Sequence, residues 1–151
     1  MELNHNLTKH IFLAEDDEDD TLLFTEALSE IDKTVVLTHA TNGKKLMEIL
    51  YQRPDQKPDI VFLDLNMPIR NGYECLNEIR ANSGRLKDLH VIVLTTSRQK
   101  ENIDIVFKLG ASRYIVKPST FTGLKSVLAK VLDSDWTQPV SKRDRKNFVI
   151  G

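Results

Sequence analysis

Five short apolar runs, each followed by a longer stretch of helical period, limit this chain more than any other feature. The runs are Ile11–Ala14, Val35–Thr38, Ile60–Leu63, Val91–Leu94 and Tyr114–Val116, rich in Val, Ile and Leu as strands covered on both faces are. Thr21–Ile31 sets Leu23, Phe24, Ala27, Leu28 and Ile31 on one side of a helix, and Lys44–Tyr51 does so with Leu46, Met47 and Leu50. Gly72–Ala81, Gln99–Leu109 and Thr120–Leu132 have the same character; in the last, Phe121, Leu124, Val127, Leu128 and Val131 recur at spacings of three and four. This alternation predicts an α/β fold: a doubly wound, five-stranded parallel sheet with helices on both faces and right-handed crossovers. In such sheets ligands gather beyond the carboxyl ends of the strands.

That rule turns the pattern into a map. Glu15 and Asp16 follow the first run, Asp64 ends the third, Thr95 ends the fourth and Lys117 follows the fifth, so four separate segments converge on one rim. The first of them opens an unbroken acidic run, Glu15 to Asp20. Two carboxylates about 4 Å apart repel by roughly 4 kcal/mol at an effective dielectric near 20, so the cluster needs a cationic partner. Glu15, Asp16 and Asp64 supply the hard oxygen ligands that magnesium prefers and leave positions open for water and a phosphoryl group. A lysine and a threonine hydroxyl on the same rim suit phosphoryl transfer, in which a protein mainly positions groups and neutralises charge. The expected nucleophile is itself a carboxylate, because no serine, cysteine or histidine triad falls on these loops.

Other chemistries lack their motifs. There is no glycine-rich Walker loop, no G-x-G-x-x-G, no H-E-x-x-H and no Cys/His metal spacing. His5, His10, His39 and His90 are scattered and read as structural or surface residues. Cys75 is the single cysteine, among Tyr73, Leu76 and Ile79 on a helix face, so it reads as a small hydrophobe in a reducing compartment. With 151 residues, 40% of them hydrophobic, the chain suffices for one core. A net charge of −1 argues against bulk nucleic-acid binding, and Lys142 to Lys146 is too short a basic run to grip DNA without a structured reader. The N-terminus has no signal-peptide character and no stretch of 18 apolar residues occurs, so a cytoplasmic location with no membrane contact is expected. Beyond Leu132 the periodicity stops. The remainder reads either as a solvated tail or as a docking or dimer-stabilising arm in which Trp136 and Phe148 find pockets.

The segments "FLAEDDEDD", "VFLDLNMPIRNGYE", "VIVLTTS" and "ASRYIVKP" resemble, in order and separation, the four blocks of the response-regulator receiver domain of bacterial two-component signalling. D-x-N-M-P-x-x-x-G after a buried strand, with K-P after a later one, is a specific combination, and the resemblance covers about His10 to Leu132. It implies a flavodoxin-like receiver over 8–134, with 135–151 as a C-terminal tail. It further implies that Asp64 accepts a phosphoryl group from a phosphohistidine. Asp16 and Asp64 would ligate Mg2+ directly, with Mn2+ a substitute, Glu15 would act through water, and the backbone carbonyl of Asn66 would supply another ligand. Lys117 and Thr95 would contact phosphoryl oxygens, Tyr114 would be the switch aromatic paired with Thr95, and a cis peptide bond before Pro118 would aim Lys117 inward. Asp17 to Asp20 would be loop and first-turn residues favoured by the helix dipole.

The implied protein is a phosphoacceptor signalling protein, not an enzyme acting on a separate substrate. Its partners would be a sensor histidine kinase or a histidine phosphotransfer protein and a downstream protein, with the chain a monomer or homodimer. "TTS" and "DLN" also resemble the stand-alone regulators paired with bacterial phytochromes. Two rival readings remain: a haloacid-dehalogenase-type phosphatase, which needs an aspartate where Asn66 stands, and a degenerate receiver serving only as a scaffold.

Overall fold

The computed structural model describes residues 9–53, 57–140 and 143–150. His5, the N-terminal stretch read for a signal peptide, Ser141 and Lys142 lie outside them. The expected alternation is present as β1 (His10–Ala14), α1 (Glu18–Ile31), β2 (Val36–Ala40), α2 (Gly43–Gln52), β3 (Ile60–Leu63), α3 (Gly72–Ala81), β4 (Val91–Thr95), α4 (Lys100–Leu109), β5 (Arg113–Val116) and α5 (Phe121–Asp133). The strands lie in the order β2-β1-β3-β4-β5, all parallel, as in flavodoxin-like receiver folds. The order reverses direction between β1 and β3, which places the crevice of a doubly wound sheet beyond the ends of those two strands.

Side-chain alternation along the strands decides which helices go where. Phe12, Val61, Leu63, Val93 and Tyr114 face the layer made by α2, α3 and α4; Ile11, Leu13, Phe62, Ile92 and Ile115 face α1 and α5. On α1, Phe24, Ala27 and Leu28 are buried and Phe24 meets Phe62 edge-on at 5.0 Å between ring centroids. Leu23, read from the sequence as part of that stripe, is 44% exposed, because one residue's rotation of about 100° carries it to the stripe's margin. Helices α1, α2, α3 and α5 begin at side-chain caps: Asp17 accepts from the Asp20 amide, Asn42 from Lys45, and Thr120 from Gly123, while Asn71 and Glu74 form a reciprocal capping box. Helix α4 ends on Gly110 at φ 102°, a left-handed conformation that suits glycine.

Among the described residues the sheet has six strands, not five. After α5 the chain crosses the bottom of the sheet, where Trp136 sits edge-on to His90 at 4.9 Å and its Nε1 donates to the Val131 carbonyl at 2.5 Å. It then returns to add β6 (Val149–Ile150) parallel to β5, with Tyr114 opposite Val149 and Ile115 opposite Ile150. The reason is the open edge of β5, whose unpaired amides need acceptors: the Tyr114 amide donates to the Phe148 carbonyl at 3.0 Å. Phe148 is fully buried and meets Phe107 at 5.0 Å, so the reading of this segment as a solvated tail is corrected. Both aromatics find their pockets on their own chain.

One glycine fixes how closely a helix approaches the end of β3. A Cβ on Gly72 would lie 2.4 Å from the Asp64 carbonyl oxygen and 2.8 Å from the Leu65 Cα, and the Gly72 amide donates to the Leu65 carbonyl at 3.0 Å. Gly72→Ala must therefore push α3 away from the strand end that carries Asp64. Chemical denaturation should show a loss of roughly 1–3 kcal/mol, the usual cost of overpacking; unchanged stability would mean the backbone relaxes freely there.

Candidate functional site

Asp64 follows β3 directly, and its amide donates to the Ala14 carbonyl at 3.1 Å, so the backbone ladder itself sets the acid beside the end of β1. Glu15 is positioned in the same way by its amide's bond to the Ala40 carbonyl, 3.1 Å. Lys117 comes in from β5, its amide donating to the Thr95 carbonyl at 2.7 Å. Three strand ends thus deliver three functional groups by main-chain pairing, without any need for long loops.

The carboxyl groups of Glu15, Asp16 and Asp64 each offer one oxygen, and these oxygens lie within 4.8 Å of one another. Glu15 and Asp64 are 2% and 6% exposed, whereas Asp16 faces solvent. Lys117 Nζ donates to Glu15 Oε1 at 2.8 Å and to Asp20 Oδ2 at 3.0 Å, and stands 4.0 Å from Asp64 Oδ1. Thr95 is buried at the end of β4, and its Oγ1 accepts from the Ser97 amide at 3.4 Å. Tyr114 is fully buried, and its hydroxyl donates to the Ser97 carbonyl at 2.8 Å. Beside Glu15, Asp20 and Lys117 opens a cavity of about 90 Å³ between α1 and α5, walled by Phe24, Phe121 and Leu124.

Charge and burial conflict in this cluster. Burial pushes the Asp64 carboxyl up, Lys117 pulls it down and Glu15 pushes it up again, which leaves it at about 7 against an ordinary 3.8. Burial alone would lower the Lys117 ammonium; the hydrogen bond to Glu15, with Asp64 and Asp20, outweighs that and holds it above the ordinary lysine range. The donor set fits a hard divalent cation: clustered carboxylate oxygens, two of them on shielded side chains, with Asp16 leaving a solvent side on which an ion keeps water.

Two sequence expectations change. The peptide bond before Pro118 is trans, as are all peptide bonds among the described residues. A trans bond is the lower-energy form, and the four-carbon lysine stem reaches Glu15 without the cis turn. Asp20, read as a first-turn residue only, also binds Lys117. Its third position in α1, where it donates its amide to the Asp17 cap, turns its carboxylate back over the rim; cap-plus-three spacing was the available signal. Ser97, joining Thr95 to Tyr114, carried no signal of its own. Cys75 is buried with its thiol pushed up to about 11 by burial, and His39 bonds to the Glu15 carbonyl at 2.7 Å as a structural group.

Comparison with known proteins matches residues 11–129 to the response regulator receiver domain. The chain is 31% identical to the response regulator Rcp1 of Synechocystis over 142 residues, which is 90% of this chain and 94% of Rcp1. Among solved structures it is similar to the phosphorylated cyanobacterial phytochrome response regulator RcpA, at 31% identity and a TM-score of 0.76 over 83% of this chain and 91% of that one. The Mn2+-bound form of Rcp1 is similar at 29% identity and a TM-score of 0.76, over 84% and 96% of the two chains. No helix among the described residues is long and apolar enough to cross a membrane.

A carboxyl that holds its proton more tightly when folded makes folding less favourable as pH rises. For Asp64 that penalty is absent below about pH 4, grows through the interval to about 7 and is constant above it. In chelator, Asp64→Asn should therefore stabilise the chain most at pH 8, and the gain should shrink by roughly 3 kcal/mol at pH 5. Denaturant unfolding at the two pH values checks this; an equal gain at both would contradict the burial account.

Proposed function

The chain belongs to the response regulator receiver domain family, and from that premise we propose that Asp64 is the phosphoacceptor of a signalling protein. In this reading an Asp64 oxygen attacks the phosphorus of a phosphohistidine; the phosphorus–nitrogen bond breaks, an acyl phosphate forms and the imidazole leaves with the electron pair. The observation that carries the reading is the meeting of three carboxyl oxygens within 4.8 Å with a lysine ammonium 4.0 Å from Asp64.

Asp16 and Asp64, with Glu15 through water and the Asn66 carbonyl, would hold Mg2+, and a divalent ion there offsets charge on the phosphoryl oxygens. Asp64 is then ionised at neutral pH and available as a nucleophile. Lys117 is already desolvated on the rim, and its contact with Glu15 is the one it exchanges for a phosphoryl oxygen. Thr95 donates its hydroxyl to a second oxygen while its Oγ1 still accepts from the Ser97 amide. Tyr114, bonded to that same turn, passes the ordering of Thr95 on to the α4–β5–α5 face.

The donor is a sensor histidine kinase or a histidine phosphotransfer protein. A phytochrome kinase is the first candidate, because RcpA is described as a phytochrome response regulator and the match to Rcp1 runs nearly the full length of both chains. The output is protein contact, made by a monomer or homodimer in the cytoplasm. A phosphatase of separate substrates would need a carboxylate where Asn66 stands. Acetyl phosphate with Mg2+ should label the chain with one phosphoryl group, and Asp64→Asn or chelator should abolish the label. Tyr114→Ala should keep it while losing binding to the downstream partner. Labelling that persists in Asp64→Asn, or release of phosphate over many turnovers without a bound intermediate, would overturn the assignment.

A further inference from the structure

We propose that residues 143–150 are an intramolecular latch on Tyr114 and, through it, a determinant of how tightly the acidic site holds a phosphoryl group; the inference rests on the phosphoacceptor reading of Asp64. Tyr114 is gripped from two sides. Above, its hydroxyl donates to the Ser97 carbonyl at 2.8 Å, and the Ser97 amide donates to Thr95 Oγ1 at 3.4 Å. Below, its amide donates to the Phe148 carbonyl at 3.0 Å, and its ring lies 6.2 Å from the ring of Phe148. Phe148 is itself fully buried, edge-on to Phe107, and its carbonyl also accepts from Arg113 Nε at 3.2 Å.

The segment is fastened at its margins by weaker contacts. Arg143 stacks over Phe107 with its guanidinium 4.0 Å from the ring centre, and Arg145 pairs with Asp104 at 2.9 Å on the exposed side of α4. Phe148 enters the core layer under α4, while Ile150 joins the layer under α5, so the segment closes the sheet edge across both faces. β6 itself is only two residues long, so its pairing depends on the seating of Phe148.

The functional consequence follows from ordering. A seated segment leaves Tyr114 one position and thereby fixes the turn that carries Ser97 and bonds to Thr95; a loose segment lets that turn sample others. A site whose threonine is already fixed has less to order when a phosphoryl group binds, so latch and site favour each other. The effect is reciprocal by linkage: loading the site tightens the segment by the factor that seating the segment strengthens loading.

Beryllofluoride with Mg2+, a tetrahedral phosphoryl mimic, tests both directions in the full chain. Hydrogen exchange of amides 143–150 should slow about tenfold on saturation. Phe148→Ala should weaken beryllofluoride binding about tenfold, and Phe148→Leu should restore most of it. If Phe148→Ala fails to fold, Arg145→Glu, which loosens only the surface anchor, should weaken binding about threefold. Binding by the wild-type chain with unmoved exchange in 143–150 and unaltered affinity in these variants would overturn the latch alone. Failure of the wild-type chain to bind the mimic, or binding that survives Asp64→Asn, would overturn the phosphoacceptor reading and the latch with it.

Discussion

The burial of Glu15 and Asp64 beside one ammonium group is the constraint on which the rest of this structure depends. Two shielded carboxylates repel strongly, and Lys117 offsets only part of that repulsion, since its shortest contacts go to Glu15 and Asp20 while Asp64 lies 4.0 Å away. The sheet holds these groups together at the ends of β1, β3 and β5 by main-chain pairing. The strain is therefore imposed by the fold on the site, and it is relieved by what the site takes up. Burial holds the Asp64 carboxyl at about 7, and in the proposed function a divalent cation would take the place of its proton.

Most of this was legible in the sequence because strands buried on both faces leave an unmistakable apolar run and their ends fall where the run stops. Asp64, Thr95 and Lys117 could be placed on one rim from that alone. Residues whose role depends on helix geometry were less visible: Asp20 reaches Lys117 only because the α1 cap turns its side chain back, and Leu23 drifts out of the stripe by one residue's rotation. β6 was illegible because two residues show no periodicity; it forms through the anchoring of Phe148 and the unpaired edge of β5. The peptide bond before Pro118 was expected cis on resemblance alone, and the reach of the lysine stem makes that turn unnecessary.

The same geometry links the site to the far edge of the sheet. Thr95, the Ser97 backbone, Tyr114 and Phe148 make one continuous chain of contacts from the acidic rim to the C-terminal segment. Each link is a single hydrogen bond or ring contact, individually of modest strength, so the chain transmits a bias between arrangements and does not act as a rigid lever.

The central claim, that Glu15, Asp16 and Asp64 share one divalent cation in competition with a proton on Asp64, is tested most directly by calorimetric titration of Mg2+ at pH 6 and pH 8. The account predicts one ion per chain, with apparent affinity about tenfold higher at pH 8 because Asp64 must shed its proton near pH 7 to bind. Affinity that is the same at both pH values, or that survives Asp16→Asn undiminished, would contradict it.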